Sequence, residues 1–246
     1  MNARDFMARA VARLTGRPSR DVRRLEKYEL ESLDGYLPRT DLGRLYVEHR
    51  GRPVRKWLHY MDAYDRHFAP YRGRPLTLLE IGVSEGGSLE LWREYFGKDA
   101  VITGIDVDPQ CASRVDAPNR VLIGSQDDAR FLRSVVAEAG APDIIIDDGS
   151  HVSRHQRASF KTLFPLLKTG GIYVIEDMHT SYWPGDYEGG YKRSGTAAAM
   201  VKNLIDDVNC AWHDKPSLGA TAIHVYDSIA FIEKGEPERL GQIRIG

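Results

Sequence analysis

The sequence predicts an α/β fold in which a mostly parallel sheet ends in an antiparallel hairpin, preceded by a short helical N-terminal appendage. From Leu76 onwards, short apolar runs alternate with helical stretches, which is typical of parallel strands covered by helices on both faces. A glycine-rich turn joins the first run to the first helix. Only three residues separate the last two runs, too few for a parallel crossover, so these two strands form a hairpin.

The first strand and the turn after it are the centre of the predicted domain. The apolar run stops at Gly82, and apolar positions at helical spacing begin again from Ser88. Because Gly82, Gly86 and Gly87 lack a Cβ atom, they would let the backbone approach a ligand closely. The spacing of these glycines matches neither the dinucleotide fingerprint nor the phosphate-binding GxxxxGK[ST] loop. The alternative to a ligand-binding loop is an ordinary tight turn between the strand and the helix. The predicted strands are Thr77–Ile81, Val101–Ile105, Arg120–Ile123, Asp143–Ile146, Gly171–Ile175, Ala222–Tyr226 and Ala230–Glu233.

Length and charge suggest two parts. The 246 residues suffice for one large domain, residues 75–246, and a small appendage, residues 1–74. The appendage carries 17 Lys and Arg against 10 Asp and Glu, whereas the rest carries 17 against 25. A basic arm can meet nucleic acid, but these arginines are dispersed and lack interleaved aromatic residues. We therefore expect the arm to pack on the acidic domain or on another subunit, and we expect no nucleic-acid partner.

The appendage is predicted to be largely helical. Apolar and charged residues recur at helical spacing over Arg4–Leu14, Arg20–Leu33 and Lys56–Phe68, and a connector containing Pro38 spans Gly35–Gly43. These helices would form a lid, a wall of the substrate site or a contact in a homo-oligomer.

The sequence lacks the features of several other classes of protein. No apolar run approaches the ~20 residues that cross a bilayer, and Met1–Leu14 has no continuous apolar core of a secretory signal. Cys111 and Cys210 are far apart and in no metal-ligand spacing, which fits a reducing compartment. We expect a cytoplasmic protein without a membrane partner.

Polar residues after the second and third strands predict a nucleoside-type ligand. Asp106 ends the second strand about 20 residues past the glycine turn, where a carboxylate can accept hydrogen bonds from a ribose diol. Asp108 more simply caps the next turn. After the third strand, Ser125, Gln126 and Asp127 could contact an adenine edge, although Asp127 could equally be the N-cap of the next helix.

Two acidic clusters follow the fourth and fifth strands. Asp147 and Asp148 end one strand, and Glu176 and Asp177 end the other. Neighbouring parallel strands are ~4.8 Å apart, so these carboxylates would repel one another unless a cation lies between them. Oxygen ligands without cysteine favour Mg²⁺, with Mn²⁺ and Ca²⁺ as alternatives. We predict that Asp148, Glu176 and Asp177 are the ligands and that Asp147 packs under the glycine turn or binds backbone amides.

Helix capping is the alternative role for these acids, but a capping box at Ser153 and Gln156 already serves the next helix. His151, three residues past Asp148, is then a candidate general base. A bound metal lowers the pKa of a substrate hydroxyl, and the neutral imidazole of His151 can take the proton of that hydroxyl. His179 is the second candidate, and His155 is expected on the outer face of a helix. The aromatic loop that follows, with Tyr182 and Trp183, suits stacking on a sugar or another flat apolar face.

Several stretches together resemble one family. They are EIGVSEGGSLELW, GIDVDP, IDDGSH, GGIYVIEDMHTSYW and the end of a late helix near Trp212-His213. From about Trp57 to Lys234 the chain resembles the metal-dependent sugar O-methyltransferases of macrolide and related antibiotic pathways, such as the mycinamicin and tylosin deoxysugar enzymes. We expect the chain to depart from some relatives by lacking their long N-terminal auxiliary domain, with its own short helical arm in that place.

The resemblance implies a Rossmann-like class I methyltransferase fold, S-adenosylmethionine (SAM) and Mg²⁺ as cofactors, and a hydroxyl of a glycosylated small molecule as acceptor. It makes Asp148, Glu176 and Asp177 the Mg²⁺ ligands and His151 the base, with His179, Tyr182 and Trp183 near the substrate. The expected cofactor contacts are Glu80, Gly82, Ser84, Gly86, Gly87, Ser88, Asp106, Ser125, Gln126, Asp127 and Asp147.

Other functions remain open at this stage. A catechol acceptor is the first, because a phenol is acidic enough to depend less on a general base. A cephalosporin-hydroxylase-like relative, or a partner subunit that catalyses nothing, would share the fold. The net positive charge of residues 1–74, taken alone, would favour an RNA methyltransferase.

Overall fold

A computed structural model describes residues 35–236 and 241–245. The helices predicted over Arg4–Leu14 and Arg20–Leu33 therefore lie outside the described residues. The chain divides into two compact units between Pro38 and Arg39, and the second unit, Arg39–Gly246, contains every helix and strand described below.

The described part of the chain contains a seven-stranded sheet with the order β3-β2-β1-β4-β5-β7-β6. β1 pairs in parallel with β2 and β4, β2 with β3, and β4 with β5, whereas β7 is antiparallel to both β5 and β6. The predicted α/β class, the mostly parallel sheet and the closing hairpin are confirmed. The strands are β1 (Leu76–Ile81), β2 (Ala100–Asp106), β3 (Arg120–Ile123), β4 (Ile144–Asp147), β5 (Ile172–Ile175), β6 (Ala220–Tyr226) and β7 (Ile229–Lys234).

Helices cover the two faces of the sheet. The described α-helices are α1 (Asp41–Glu48), α2 (Tyr60–Phe68), α3 (Gly87–Phe96), α4 (Ala129–Ala139), α5 (Ser153–Leu163) and α6 (Ala197–Val208). Successive residues of a strand point to opposite faces. Leu78 and Ile146 therefore pack against α1, α2 and α3, while Leu79 and Ile145 pack against α4, α5 and α6. All four residues of β4 are buried, which explains why its first three residues are a continuous run of isoleucines rather than an alternating pattern.

The segment before β1 differs from the prediction. The expected connector Gly35–Gly43 contains the start of α1, whose N-cap Thr40 accepts a hydrogen bond from the Gly43 amide. The helix predicted from Lys56 begins at Tyr60. Leu42 and Tyr64 are fully buried in the core that also contains β1. The compact unit thus begins at Arg39, before the domain boundary predicted at residue 75, because α1 and α2 contribute to the same core.

The strand order reverses direction between β1 and β4, and this places the site. Ile81 lies beside Asp147, and Asp147 lies beside Ile175. The chain therefore leaves the three strands at one level, through Gly82 after β1, Asp148 after β4 and Glu176 after β5. In open α/β sheets, ligands bind beyond the carboxyl ends of the strands at such a reversal.

Two expectations about the class of protein can be compared with the structure. Among the described residues, no helix is long and apolar enough to cross a membrane. Cys111 is buried and Cys210 is partly buried, and both are free thiols. The described part of the chain is therefore held together by packing and hydrogen bonds rather than by a disulfide.

We predict that Phe231→Ala lowers the free energy of unfolding by about 3–5 kcal/mol. Phe231 on β7 is fully buried, and its ring lies 4.4 Å from that of His67 and 5.4 Å from that of Tyr64, so truncation leaves a cavity under α2. Urea unfolding would measure the loss. The matched control is Val225→Ala on β6, a side chain that is 61% exposed and should cost about 0.5 kcal/mol or less. Similar losses in both variants would contradict the packing described for β7.

Candidate active site

A cavity and an acidic cluster adjoin each other at the carboxyl edge of the sheet. The cavity has a volume of about 480 Å³, within the range of small-molecule sites. Its wall is formed by the loops after β1, β2, β3 and β4 together with a segment that precedes α2. The wall comprises residues 53–56, 81–85, 105–107, 124–126 and 148–150, with Ser88 and His155.

Asp106 organises the loop after β1. Its Oδ2 accepts hydrogen bonds from the Val83 amide at 2.8 Å and the Ser84 amide at 3.2 Å, and its Oδ1 accepts one from the Asp108 amide. Burial alone would raise the pKa of Asp106, but the backbone N–H groups outweigh it and hold this pKa below its usual value. The carboxylate is therefore ionised and fixed at the cavity wall, where it can accept further hydrogen bonds.

The predicted cofactor residues divide into two groups. Those that line the cavity are Gly82, Ser84, Ser88, Asp106, Ser125 and Gln126. Those that the structure places outside the wall are Glu80, Gly86, Gly87, Asp127 and Asp147. This second group has other contacts in the fold, and its expected contact with the cofactor stays a prediction.

The glycines show the difference most directly. A Cβ atom on Gly86 or Gly87 would collide with Val115 or with the backbone of Arg52 and Pro53. Gly87 thus allows the chain to pass closely under the segment before α2, and Gly86 makes room for Val115. At Gly82, where φ is +91°, a Cβ atom would meet the carbonyl of Asp148. This glycine lets the β1 and β4 loops touch, and it also faces the cavity.

Asp147 and Gln126 form a buried polar network beneath the cavity. Gln126 donates to Asp147 Oδ1 at 3.0 Å and accepts from the Ser150 amide at 2.8 Å. Ser159 and Tyr173 also donate to Asp147 Oδ2. Asp147 therefore packs under the cavity without binding backbone amides, and the Gln126 amide holds the β4 loop. Reading of an adenine edge by that amide, which the sequence suggested, would compete with these hydrogen bonds.

The acidic cluster contains a residue that the sequence analysis left out. The ammonium group of Lys56 lies 2.5 Å from Asp148 Oδ2, 2.5 Å from Glu176 Oε1 and 3.5 Å from Glu80 Oε1. Its side chain is only 1% exposed. Burial would lower the pKa of Lys56, but the three carboxylates outweigh it and raise this pKa well above its usual value. Lys56 therefore remains charged and offsets part of the negative charge that converges on this edge.

The acids at the end of β5 are oriented by aromatic side chains. Tyr64 donates to Glu176 Oε1 at 2.5 Å, while Tyr60 and Trp57 donate to Asp177 Oδ1 at 2.9 and 3.0 Å. Burial, followed by repulsion from Asp148, raises the pKa of Glu176 well above its usual range. A second cation near Glu176, in addition to the Lys56 ammonium, would further favour its ionised form.

His151 completes the cluster. Its Nε2 lies 3.5 Å from Asp177 Oδ2 and 3.9 Å from Asp148 Oδ1, and ligand atoms of these three residues all lie within 4.8 Å of one another. The buried Nδ1 of His151 has no hydrogen-bond partner among the described residues. His151 and Asp177 both have positive φ, 54° and 52°, a strained conformation that is typical of functional loops. Two carboxylates and an unsatisfied imidazole fit a divalent cation and a proton acceptor.

The predicted substrate residues are only partly brought together. His179 lies beside this centre, hydrogen-bonded through Nδ1 to Ser228 Oγ at 2.5 Å, and burial lowers its pKa. Its ring contacts those of Trp183 at 4.7 Å and Trp57 at 5.9 Å. Tyr182 instead lines a separate open cavity of about 1050 Å³ next to α6. Trp183 and His179 therefore flank the acidic cluster, whereas Tyr182 faces away from it.

Three local predictions are corrected by the structure. Ser153 is not an N-cap, since Val152 holds that position, and the Ser153 hydroxyl has no hydrogen-bond partner among the described residues. Gln156 donates instead to the carbonyl of Glu176. The cap of α4 is Asp128, not Asp127, because its Oδ1 accepts from the Arg130 and Phe131 amides. His155, expected on an outer face, lines the cavity and bonds to Ser150 Oγ.

The residues missed by the sequence analysis all come from the segment before β1. Lys56, Trp57, Tyr60 and Tyr64 lie on or just before α2, which the sequence assigned to an appendage. One signal could have found them: Tyr60 and Tyr64 are one helical turn apart on an apolar face, and a buried tyrosine hydroxyl needs a partner. Lys56 carries no such signal, because lysines before a helix are usually solvated.

Comparison with known proteins gives the family context of this site. A methyltransferase domain matches residues 79–178. The chain is 39% identical over 212 residues to 8-demethyl-8-(2-methoxy-alpha-L-rhamnosyl)-tetracenomycin-C 3'-O-methyltransferase of Streptomyces olivaceus, covering 79% of this chain and 54% of that protein. It is 39% identical over 209 residues to mycinamicin VI 2''-O-methyltransferase of Micromonospora griseorubida, covering 75% and 50%.

A solved structure is also similar. The MycE methyltransferase of the mycinamycin biosynthetic pathway, determined in complex with Mg, SAH and mycinamycin VI, matches with a TM-score of 0.73 and 37% identity. The match covers 82% of this chain and 55% of that one. The chain spans about half the length of the curated relatives it matches.

We predict that Lys56→Met lowers the free energy of unfolding by about 3–5 kcal/mol in the presence of a chelator, because it leaves buried carboxylates without their counter-charge. Added Mg²⁺ should restore part of this loss, since a cation that binds the folded state stabilises it. Urea unfolding with and without Mg²⁺ would measure both effects. Lys202→Met on α6, where the lysine is exposed, is the control. Equal stability of the Lys56 variant and the wild type under chelation would contradict the pairing.

Proposed function

Since residues 79–178 form a methyltransferase domain and the chain is a relative of antibiotic sugar O-methyltransferases, we propose that it is a SAM- and Mg²⁺-dependent O-methyltransferase. Its acceptor would be a hydroxyl of a sugar in a glycosylated natural product. One observation carries the proposal: His151 and the acidic cluster adjoin a cavity of about 480 Å³ whose wall contains the fixed carboxylate of Asp106. A methyl donor and a deprotonation centre would thus meet at one edge of the sheet.

SAM would occupy the cavity after β1. The Asp106 carboxylate, held by the Val83 and Ser84 amides, is oriented to accept hydrogen bonds from a ribose diol. Gly82 and Ser84 on the β1 loop lie on the same wall, as do Ser125 and Gln126 after β3. With these residues on the wall, the amino-acid end of SAM would lie near the β1 loop and its adenine near the β3 loop.

Mg²⁺ would be held by Asp148, Glu176 and Asp177. When bound, it would neutralise these acids and lower the pKa of the acceptor hydroxyl. The residues around them set the geometry in advance. Tyr64 fixes Glu176, and Tyr60 fixes Asp177. Lys56, now paired with Asp148 and Glu176, would screen the remaining negative charge.

His151 would take the proton from the acceptor hydroxyl through Nε2, the atom that faces the cluster. Thr180 Oγ1 lies 2.9 Å from the carbonyl oxygen of His151 and 2.8 Å from that of Asp177, so its single proton is shared between these two acceptors. This hydroxyl ties the two loops together and so fixes the imidazole relative to the acids. Trp183 and His179, whose rings meet edge to face, would form an aromatic wall for the sugar.

The proposal also covers the role of the segment before residue 75 and the cellular compartment of the enzyme. Residues 53–56 contribute to the cavity wall, which supports a site-forming role for the segment before residue 75. The exposed face of this segment would form a lid or the contact of a homo-oligomer. Free Cys111 and Cys210 support a reducing compartment such as the cytoplasm.

Asp106→Asn should weaken SAM binding roughly 10- to 100-fold, because hydrogen bonds to a charged group contribute about 1.5–3 kcal/mol. Titration calorimetry with SAM would measure the dissociation constant without an acceptor. Asp108→Asn is the control, because Asp108 caps a turn and lies outside the cavity wall. The cofactor assignment fails if the two variants bind SAM equally well, or if the wild type does not bind it.

His151→Gln should lower kcat by about 10²- to 10⁴-fold, the usual contribution of a general base, while the dissociation constant for SAM stays unchanged. Chelation should also abolish turnover in the wild type. The assay would follow methyl transfer to rhamnosyl tetracenomycin and mycinamicin VI, the acceptors of the relatives, beside a catechol. His179→Gln is the comparison: if it loses more activity than His151→Gln, the base has been assigned to the wrong histidine. Preferred methylation of the catechol would refute the sugar acceptor.

A further inference from the structure

α2 contacts a second cluster of ligand-type side chains, away from the acids. Tyr60, Tyr64 and His67 share one face of this helix, since they are spaced by four and three residues. The first two reach Asp177 and Glu176, whereas His67 lies over the β6–β7 hairpin. Helix α2 therefore joins the carboxyl edge of β5 to the last two strands of the sheet.

The hairpin presents two further polar residues to His67. Alternation along β6 and β7 puts His224 opposite Phe231, and Glu233 two residues further along, on the face that α2 covers. His224 Nε2 is hydrogen-bonded to Glu233 Oε1 at 2.8 Å. The rings of His67 and His224 are 4.4 Å apart, and ligand atoms of His67, His224 and Glu233 all lie within 4.8 Å of one another.

We propose that His67, His224 and Glu233 form a second metal site, which binds a divalent transition-metal ion of the Zn²⁺ type. Two imidazoles and one carboxylate are a common ligand set for Zn²⁺, and they leave a fourth position for water or another oxygen. The Tyr226 hydroxyl, 3.0 Å from His67 Nε2, is a further oxygen beside these ligands. The donor set also separates the two sites, because imidazole favours Zn²⁺ and related ions whereas the oxygen ligands of the acidic cluster favour Mg²⁺.

Burial and charge suit this assignment. His67 is 8% exposed, while the side chains of His224 and Glu233 are 38% and 40% exposed, so one ligand is anchored and the site is open to solvent. Glu233 supplies negative charge. The guanidinium of Arg66 lies 3.3 Å from the Tyr226 hydroxyl and is a positively charged group in contact with that hydroxyl.

The consequence would be structural. A metal ion at this position would bridge α2 and both strands of the hairpin. Because α2 also carries Tyr60 and Tyr64, the ion would fix the helix that orients Asp177 and Glu176. The site would thus stabilise one edge of the sheet, where β6 pairs with only one other described strand.

Zn²⁺ titration of the full chain tests the proposal independently of methyl transfer. Calorimetry in excess Mg²⁺ should show that the wild type binds one more equivalent of Zn²⁺ than His224→Gln does. Glu233→Gln should weaken the same equivalent by about 10-fold or more, since even residues behind the ligands typically contribute that much. Zn²⁺ should also raise the melting temperature of the wild type but not of His224→Gln. His213→Gln, which changes an exposed histidine outside the cluster, should behave as the wild type.

Two results would overturn the proposal. One is that both cluster variants, shown by circular dichroism to be folded, bind the same number of Zn²⁺ ions with unchanged affinity; Zn²⁺ would then be bound elsewhere, for example by Asp148, His151 and Asp177. The other needs no variant. If Co²⁺ added to the wild type in excess Mg²⁺ gives no absorption spectrum of a four-coordinate ion with nitrogen ligands, the site does not exist.

Discussion

The convergence of carboxylates at the ends of β4 and β5 is the constraint on which the site depends. Asp148 and Glu176 leave the sheet at the same level because β4 and β5 are paired, and Glu80 lies beneath them. The buried ammonium of Lys56 joins these groups. Charges taken out of water are tolerated only when they are paired and hydrogen-bonded. The position of Lys56 therefore fixes the segment before α2 against the sheet, and with it one wall of the cavity.

Depth relative to the sheet decides what each acid does. Glu80 and Asp147 belong to the strands themselves and are fully buried, so their oxygens are used by neighbouring side chains. Asp148 and Asp177 come one or two residues after the strands and are partly exposed. Asp147 and Asp148 are adjacent in the sequence, yet Asp147 supports a loop and Asp148 can contact a ligand. Acidic clusters at strand ends contain both kinds.

Helix α2 couples features that are distant in sequence. Tyr60 and Tyr64 hold the acids of β5, and His67, one turn further, lies on the hairpin. The ring of Phe231 packs between Tyr64 and His67 and links the two contacts through the core. Any change that moves α2, such as occupation of the His67 cluster or loss of Phe231, would therefore shift the positions of Asp177 and Glu176.

The sequence alone determined the α/β class, the strand positions, the hairpin and the edge where the acids meet, because these follow from local apolar patterns and from the direction of parallel strands. It also identified Asp106, Asp148 and His151 as residues at that edge. Only the tertiary structure decided that Gly87 accommodates the Arg52 and Pro53 backbone, that Gly86 accommodates Val115, and that Lys56 enters the acidic cluster. Lys56 and Glu176 are separated by 120 residues, and no local pattern encodes a contact that exists only when two distant segments pack together.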